Sequence, residues 1–196
     1  MRITGGERRG MKLAQLKGMA VRPTTDKVKA AIFNAIQWDV RDAEVFVDCF
    51  GGTGAMALEA LSRGVEEAWI FDSAPKSIRL IRQNVAKARY EDRAHIVETP
   101  AASGLKRLAA SGIQADLIFM DPPYRMTQEP VDLAQFISEK KIVKSQGILM
   151  IEHEKSVIMP LIMGHFTQMK HKVYGITAVD FYRFERPEEE REGERS

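Results

Sequence analysis

Short apolar runs alternate with amphipathic helical stretches from about residue 44 onward, and this alternation constrains the fold more than any other property of the chain. Glu44–Phe50, Ala68–Phe71, His95–Glu98, Ala115–Met120 and Gly147–Glu152 read as strands. Ala55–Ser62, Pro75 to about Tyr90, Leu105–Ala110 and Val131–Glu139 read as the helices between them. A strand, a helix and a second strand in succession form a βαβ unit, whose strands run parallel and are covered on both faces. Lys170–Tyr174 and Ala178–Phe184 are β-rich with no helix between them, which predicts an antiparallel edge hairpin. The expected fold is therefore α/β, an open and doubly wound sheet. A length of 196 residues suits one domain with short appendages. The divisions expected are an arm over 1–24, a domain over 25–184 and a polar tail over 185–196.

The arm holds Gly5, Gly6, Gly10 and Gly18 and one or two short β-prone pieces. Behind it, Val28, Ala31, Ile32, Ala35 and Ile36 recur at helical spacing, with Thr24 or Thr25 as the cap and Asp26 in the first turn. Net charge is only +2, but residues 1–30 carry eight basic side chains against two acidic ones. A basic end on a near-neutral chain suits a polyanion such as nucleic acid. The tail carries six Glu and three Arg and is too polar to bury anything, so disorder is expected there. Cys49 is the sole cysteine, so no internal disulfide can form. No signal-peptide core and no apolar run of about 20 residues is present, and a cytoplasmic location is expected.

Asp48-Cys49-Phe50-Gly51-Gly52-Thr53-Gly54 lies where a strand becomes a helix. Glycines at such a turn let the backbone approach a ligand, and open α/β sheets bind ligands at the carboxyl ends of their strands. Asp72 ends the next strand and can accept both hydroxyls of a ribose. Gly52-Thr53-Gly54-Ala55-Met56-Ala57 also satisfies G-x-G-x-x-A, so an NAD-binding oxidoreductase stays open. The acidic Asp48 favours S-adenosylmethionine, which has no pyrophosphate but carries an ammonium group that a carboxylate can hold.

Asp121-Pro122-Pro123-Tyr124 follows the strand Ala115–Met120. Two prolines fix the backbone and remove two N–H donors. The Asp121 carboxylate and the Pro122 carbonyl can then aim at one point, which suits an exocyclic amino group with two N–H donors in a plane. Tyr124 offers a flat face for a base, a stack worth roughly 1–3 kcal/mol. Accepting both hydrogen bonds raises electron density on the amino nitrogen, whose lone pair can attack a methyl group on a sulfonium. The protein's part is positioning and polarisation. A base in a folded RNA or a duplex must be extruded to reach such a site.

Met1–Gly6, Arg22-Pro23-Thr24-Thr25-Asp26-Lys27-Val28, Ile32-Phe33-Asn34, Asp48–Gly54, Leu58–Gly64 and Asp121–Tyr124 follow one another in a characteristic order. In these residues the chain resembles the bacterial 16S rRNA (guanine(966)-N2)-methyltransferase family over about residues 1–184. The resemblance implies a Rossmann-like class I methyltransferase fold with a seven-stranded sheet and S-adenosylmethionine as cofactor. It implies a guanine of 16S rRNA as substrate, in an assembled or partly assembled small subunit. A monomer is expected. Asp48, Phe50, Gly51, Gly52, Thr53, Gly54, Asp72, Ser73 and Asp121 are the expected cofactor residues. Arg8, Arg9, Arg22, Thr24, Thr25 and Tyr124 are expected to face the substrate, and Asp121, Pro122, Pro123 and Tyr124 to carry the chemistry. The family's third strand is usually followed by Asp-Ala, whose Asp contacts the adenine, whereas this chain has Thr99-Pro100-Ala101. Pro100 cannot make that contact.

A DNA adenine-N6 methyltransferase can use the same tetrapeptide, but no segment here is long enough for a target-recognition region. His95, His153, His165 and His171 show no metal-ligand spacing, so no metal site is expected. His153 reads as a surface histidine near the ligand edge and Asn84 as a helix-surface amide.

Overall fold

The computed structural model describes residues 1–15, 25–123 and 128–185. Arg22, Thr24, Tyr124 and the tail beyond residue 185 therefore lie outside the described residues. The chain divides into two units, Met1–Gly104 and Leu105–Ser196.

The first unit holds helix α1 (Asp26–Ala35), the short α2 (Gln37–Arg41), strand β1 (Val45–Asp48), α3 (Ala55–Ser62), β2 (Glu67–Asp72), α4 (Pro75–Ala88) and β3 (Ala94–Glu98). Helix α5 (Ala101–Ala110) begins in it. β2 pairs in parallel with β1 and with β3, Asp48 lying opposite Ile70 and Asp72 opposite Glu98. Thr25 caps α1 by accepting from the Val28 N–H at 3.2 Å. Pro75 opens α4, where its missing N–H costs nothing. α4 stops because Arg89 takes the left-handed conformation at φ +59°, a conformation that no sequence signal at this arginine announces. All eight residues of α3 are buried, which is the fate of a helix apolar around most of its circumference.

The arm is held to this unit by side chains and backbone together. Ile3 and Leu13 are buried, and Arg2 and Lys12 form a single antiparallel bridge rather than extended strands. Thr4 donates from its N–H and its hydroxyl to the two oxygens of Glu59, at 2.7 and 2.6 Å. Lys29 forms a fully buried ion pair with Glu59 and donates to the Arg2 carbonyl at 2.8 Å. Arg63 completes the cluster at 2.9 Å from Glu59. Gly6, at φ +73°, turns so close to α3 that a Cβ would meet the Ser62 carbonyl.

The second unit holds the rest of α5, then β4 (Ala115–Met120), α6 (Glu129–Glu139), β5 (Val143–Glu154), β6 (Ile162–Met163), β7 (Phe166–Tyr174) and β8 (Thr177–Phe184). Its strands run in the order β4-β5-β8-β7-β6. β4 and β5 are parallel, and the remaining pairings are antiparallel. Gly147–His153 is an unbroken buried run, as expected of a strand covered on both faces, while β7 is largely exposed. The hairpin expected near the end of the chain is β7–β8. The described strands number eight rather than seven, the additional one being the two-residue β6.

Candidate active site

β1 carries Asp48 to the start of the glycine turn, where the carboxylate is 1% exposed. One of its oxygens accepts from the Phe50 N–H at 3.3 Å, and the other, Oδ2, has no hydrogen-bond partner. Burial raises this carboxyl to about 7, with the Asp72 charge adding to the shift and the Phe50 and Ala57 N–H groups opposing it. A buried carboxylate oxygen without a donor is costly, and a ligand ammonium would satisfy it.

The glycines shape the space beside it. Gly51 donates to the Phe71 carbonyl at 2.7 Å, and a Cβ there would stand 2.5 Å from the Ile70 side chain. Gly52, at φ +55°, donates to Asp72 Oδ2 at 2.8 Å. The other Asp72 oxygen accepts from the Ala74 N–H at 2.8 Å. Two backbone donors thus fix a half-exposed carboxylate at the end of β2, and each oxygen keeps a further lone pair for a diol. Gly54, left-handed at φ +77°, begins α3. Phe50 and Thr53 are half-buried on the same turn, and Ser73 is exposed beside Asp72. The turn thus offers one buried carboxylate oxygen without a donor, suited to an ammonium, and one anchored carboxylate, suited to a diol.

Asn84 belongs to this assembly, and it was not legible as such. It is fully buried rather than on the helix surface. Its Oδ1 accepts from the Ala14 N–H at 2.8 Å, and its Nδ2 donates to the carbonyls of Ala14 at 3.1 Å and Thr53 at 2.9 Å. One carboxamide therefore ties the arm to the glycine turn. Its position on the apolar face of α4, between Ile81 and Val85, was the available signal. The arm also meets α4 where Arg8 Nε donates to the Ala88 carbonyl at 3.1 Å, its guanidinium lying 5.6 Å from the centre of the Tyr90 ring. Arg9 stays exposed, and Thr25 is the α1 cap.

In the second unit, Asp121 directly follows β4 at its carboxyl end and is half-buried, with Pro122 buried and Pro123 exposed. Met120 lies opposite Ile151 of β5, so Asp121 and the buried Glu152 follow at the same sheet edge.

His153 is buried rather than on the surface. Its Nε2 lies 2.8 Å from Asp180 Oδ2 and its Nδ1 2.8 Å from the Glu154 carbonyl. His171 Nδ1 meets the other Asp180 oxygen at 2.5 Å. The three side chains offer ligand atoms within 4.8 Å of one another, although they come from three strands and share no sequence spacing. Both ring nitrogens of His153 face acceptors, which favours the protonated ring. Burial works against that charge, but the bonds to Asp180 and Glu154 prevail and raise its pKa. The buried Asp180 is thus shared between the buried His153 and the exposed His171.

A glycine turn after the first parallel strand and an acidic residue after the second are features of Rossmann-like folds, and the comparisons place the chain among the class I methyltransferases. The structure of yhhF from Escherichia coli, provisionally described as a methyltransferase, matches with a TM-score of 0.79 at 30% identity, covering 94% of this chain and 98% of that one. A family profile described as conserved hypothetical protein 95 matches residues 1–183. YlbH of Bacillus subtilis, named provisionally as an rRNA methyltransferase, is 32% identical over 93% of this chain and 98% of its own length. Ribosomal RNA small subunit methyltransferase D of Escherichia coli is 30% identical over 94% of this chain and 90% of its own length. The chain belongs to this family of 16S rRNA methyltransferases.

Proposed function

We propose that the protein transfers a methyl group from S-adenosylmethionine to the exocyclic N2 of a guanine in 16S rRNA, acting as a monomer on an assembled or partly assembled small subunit. The observation that carries this reading is Asp121-Pro122-Pro123 at the carboxyl end of β4, in a chain whose relatives are named as small-subunit rRNA methyltransferases. When bound, S-adenosylmethionine supplies a methyl group on a sulfonium that leaves as a neutral thioether. Asp48 receives the ammonium and Asp72 the ribose. Asp121 and the Pro122 carbonyl accept the two N–H groups of the guanine amine and direct its lone pair. After transfer the nitrogen is acidic, and Asp121 takes the released proton. Tyr124 is assigned to stacking on the base, and Arg22, Thr24 and Arg9 to contacts with the RNA. The basic arm adds phosphate contacts that weaken with salt.

Tritiated methyl transfer to small subunits lacking the modification, with naked 16S rRNA and DNA alongside, tests the reading once nucleosides are analysed. N2-methylguanosine is the expected product. N6-methyladenine in DNA would reassign the substrate.

Two further outcomes are expected. The cofactor requires ionised Asp48, so its affinity should fall about tenfold for each pH unit below 7. Calorimetric titrations between pH 7.5 and 5.5, about the window in which one proton competes, would show this slope, and Asp48→Asn should flatten it. Asp72→Ala removes both ribose acceptors and the partner of the Gly52 N–H, and should weaken cofactor binding by about 100-fold, two charged hydrogen bonds at roughly 1.5 kcal/mol each. Unchanged affinity would remove Asp72 from the ribose.

A further inference from the structure

The exposed face of α4 carries Lys76, Arg79, Arg82 and Lys87, with Arg89 just beyond its end, and α4 contains no acidic residue. At about 100° per residue these four helical cations fall on one side of the helix, opposite Ile78, Ile81, Asn84 and Val85. Among the described residues, Lys76, Arg79, Arg82 and Arg89 make no ion pair. Lys87 donates to the Lys12 carbonyl at 2.6 Å, which sets the exposed Lys12 beside the end of this row. Arg9 stands exposed three residues ahead of Lys12, the arm's bridge residue. Surfaces normally mix the two signs of charge, and a single-sign ridge stores repulsion unless a partner relieves it. Helices α1 and α2 do mix them: α1 carries Asp26 beside Lys27, and α2 carries Asp39 with Arg41.

We infer that this ridge, continued by Lys12 and Arg9 of the arm, is a track for the sugar-phosphate backbone of the RNA substrate. From Lys76 to Arg89 the row is roughly 20 Å long, enough to follow several phosphates of one strand. The remaining exposed positions of α4 are Pro75, Gln83 and Ala86. No aromatic or large aliphatic side chain interrupts the cations, so the face lacks the anchors of a protein interface and the wedge of a membrane-bound helix. Four helical cations outnumber the single exposed amide, Gln83, so the row suits phosphate more than sequence. Through Asn84 and Lys87 the track is joined to the arm, and through Asn84 to the glycine turn. RNA laid along α4 thus bears on the same segment that organises the cofactor turn.

This inference rests on the rRNA methyltransferase reading. Its test compares wild type with Lys76→Gln/Arg79→Gln/Arg82→Gln, and with Lys106→Gln/Lys140→Gln/Lys172→Gln as an equal change in net charge elsewhere. Binding of a fluorescently labelled 16S rRNA transcript would be followed by anisotropy across a salt series, with cofactor affinity and methyl transfer measured in parallel. The ridge variant should lose about 10- to 100-fold in RNA affinity near 0.1 M salt, and its slope of log affinity against log salt should be shallower by about 2. Its cofactor affinity should be unchanged and the control should resemble wild type. Equal losses in both variants, or none in the ridge variant, would overturn the track. A wild-type protein that binds the transcript with the expected slope yet methylates neither it nor small subunits would leave the track standing and sink the methyltransferase reading.

Discussion

Asp121→Ala is expected to lower methyl transfer by roughly 10²- to 10³-fold while S-adenosylmethionine binds as it does to wild type. The expected loss is large because the carboxylate's main task falls in the transition state, where the amino nitrogen becomes tetrahedral and positive. An acceptor already aimed there needs no reorganisation, and alanine leaves only the Pro122 carbonyl. Asp121→Asn keeps one carbonyl oxygen but not the charge, so it should fall between the two. Single-turnover rates on saturating substrate separate this from weakened RNA binding. A normal rate in the alanine variant would remove Asp121 from the chemistry. Loss of cofactor affinity equal to the loss of rate would make it a binding residue instead.

The largest stability effect is expected at Glu59→Ala. Glu59 accepts from the Thr4 backbone and hydroxyl, from Arg63 and from Lys29 inside the protein. Burial opposes its charge, but Lys29 and the Thr4 donors outweigh this and hold its carboxyl below the ordinary range. Burial pulls the Lys29 ammonium down as well, with Glu59 working against that. Removing one partner leaves an uncompensated buried charge, at a cost of about 3–5 kcal/mol. For a protein of this size that corresponds to a fall in melting temperature of roughly 10 °C, which calorimetry would detect. The carboxyl's folded pKa is depressed, so its contribution is present above its unfolded value and disappears as pH falls through the folded one. An unchanged melting temperature would show that the arm is not anchored through this cluster.

Local patterning located the elements that obey one rule at a time. α3 spans Ala55–Ser62 and β4 spans Ala115–Met120, as their apolar runs and flanking signals indicate. α2, with five residues, and β6, with two, are too short to show a period. β5 begins at Val143, four residues before the apolar run that marked it, because ladder pairing with β4 extends past the buried stretch. The glycine turn and the two aspartates that end β1 and β2 were readable because each lies at a strand terminus. Asn84 was not, since its partners Ala14 and Thr53 are 70 and 31 residues away. The His153–Asp180–His171 network likewise exists only once β5, β8 and β7 are in register. Interactions of that kind depend on pairing between distant segments, which no local periodicity encodes.

The carboxamide of Asn84 also gives α4 a rotational phase. A residue inserted between Lys76 and Asn84 would turn the front of the helix by about 100° against the clamp that holds Ala14 and Thr53. The cations ahead of the insertion, Lys76 first among them, would then swing out of line with Lys87 even if every one of them were kept. Length changes in this helix are therefore constrained as angles, and replacing its surface charges one by one is the gentler way to alter it.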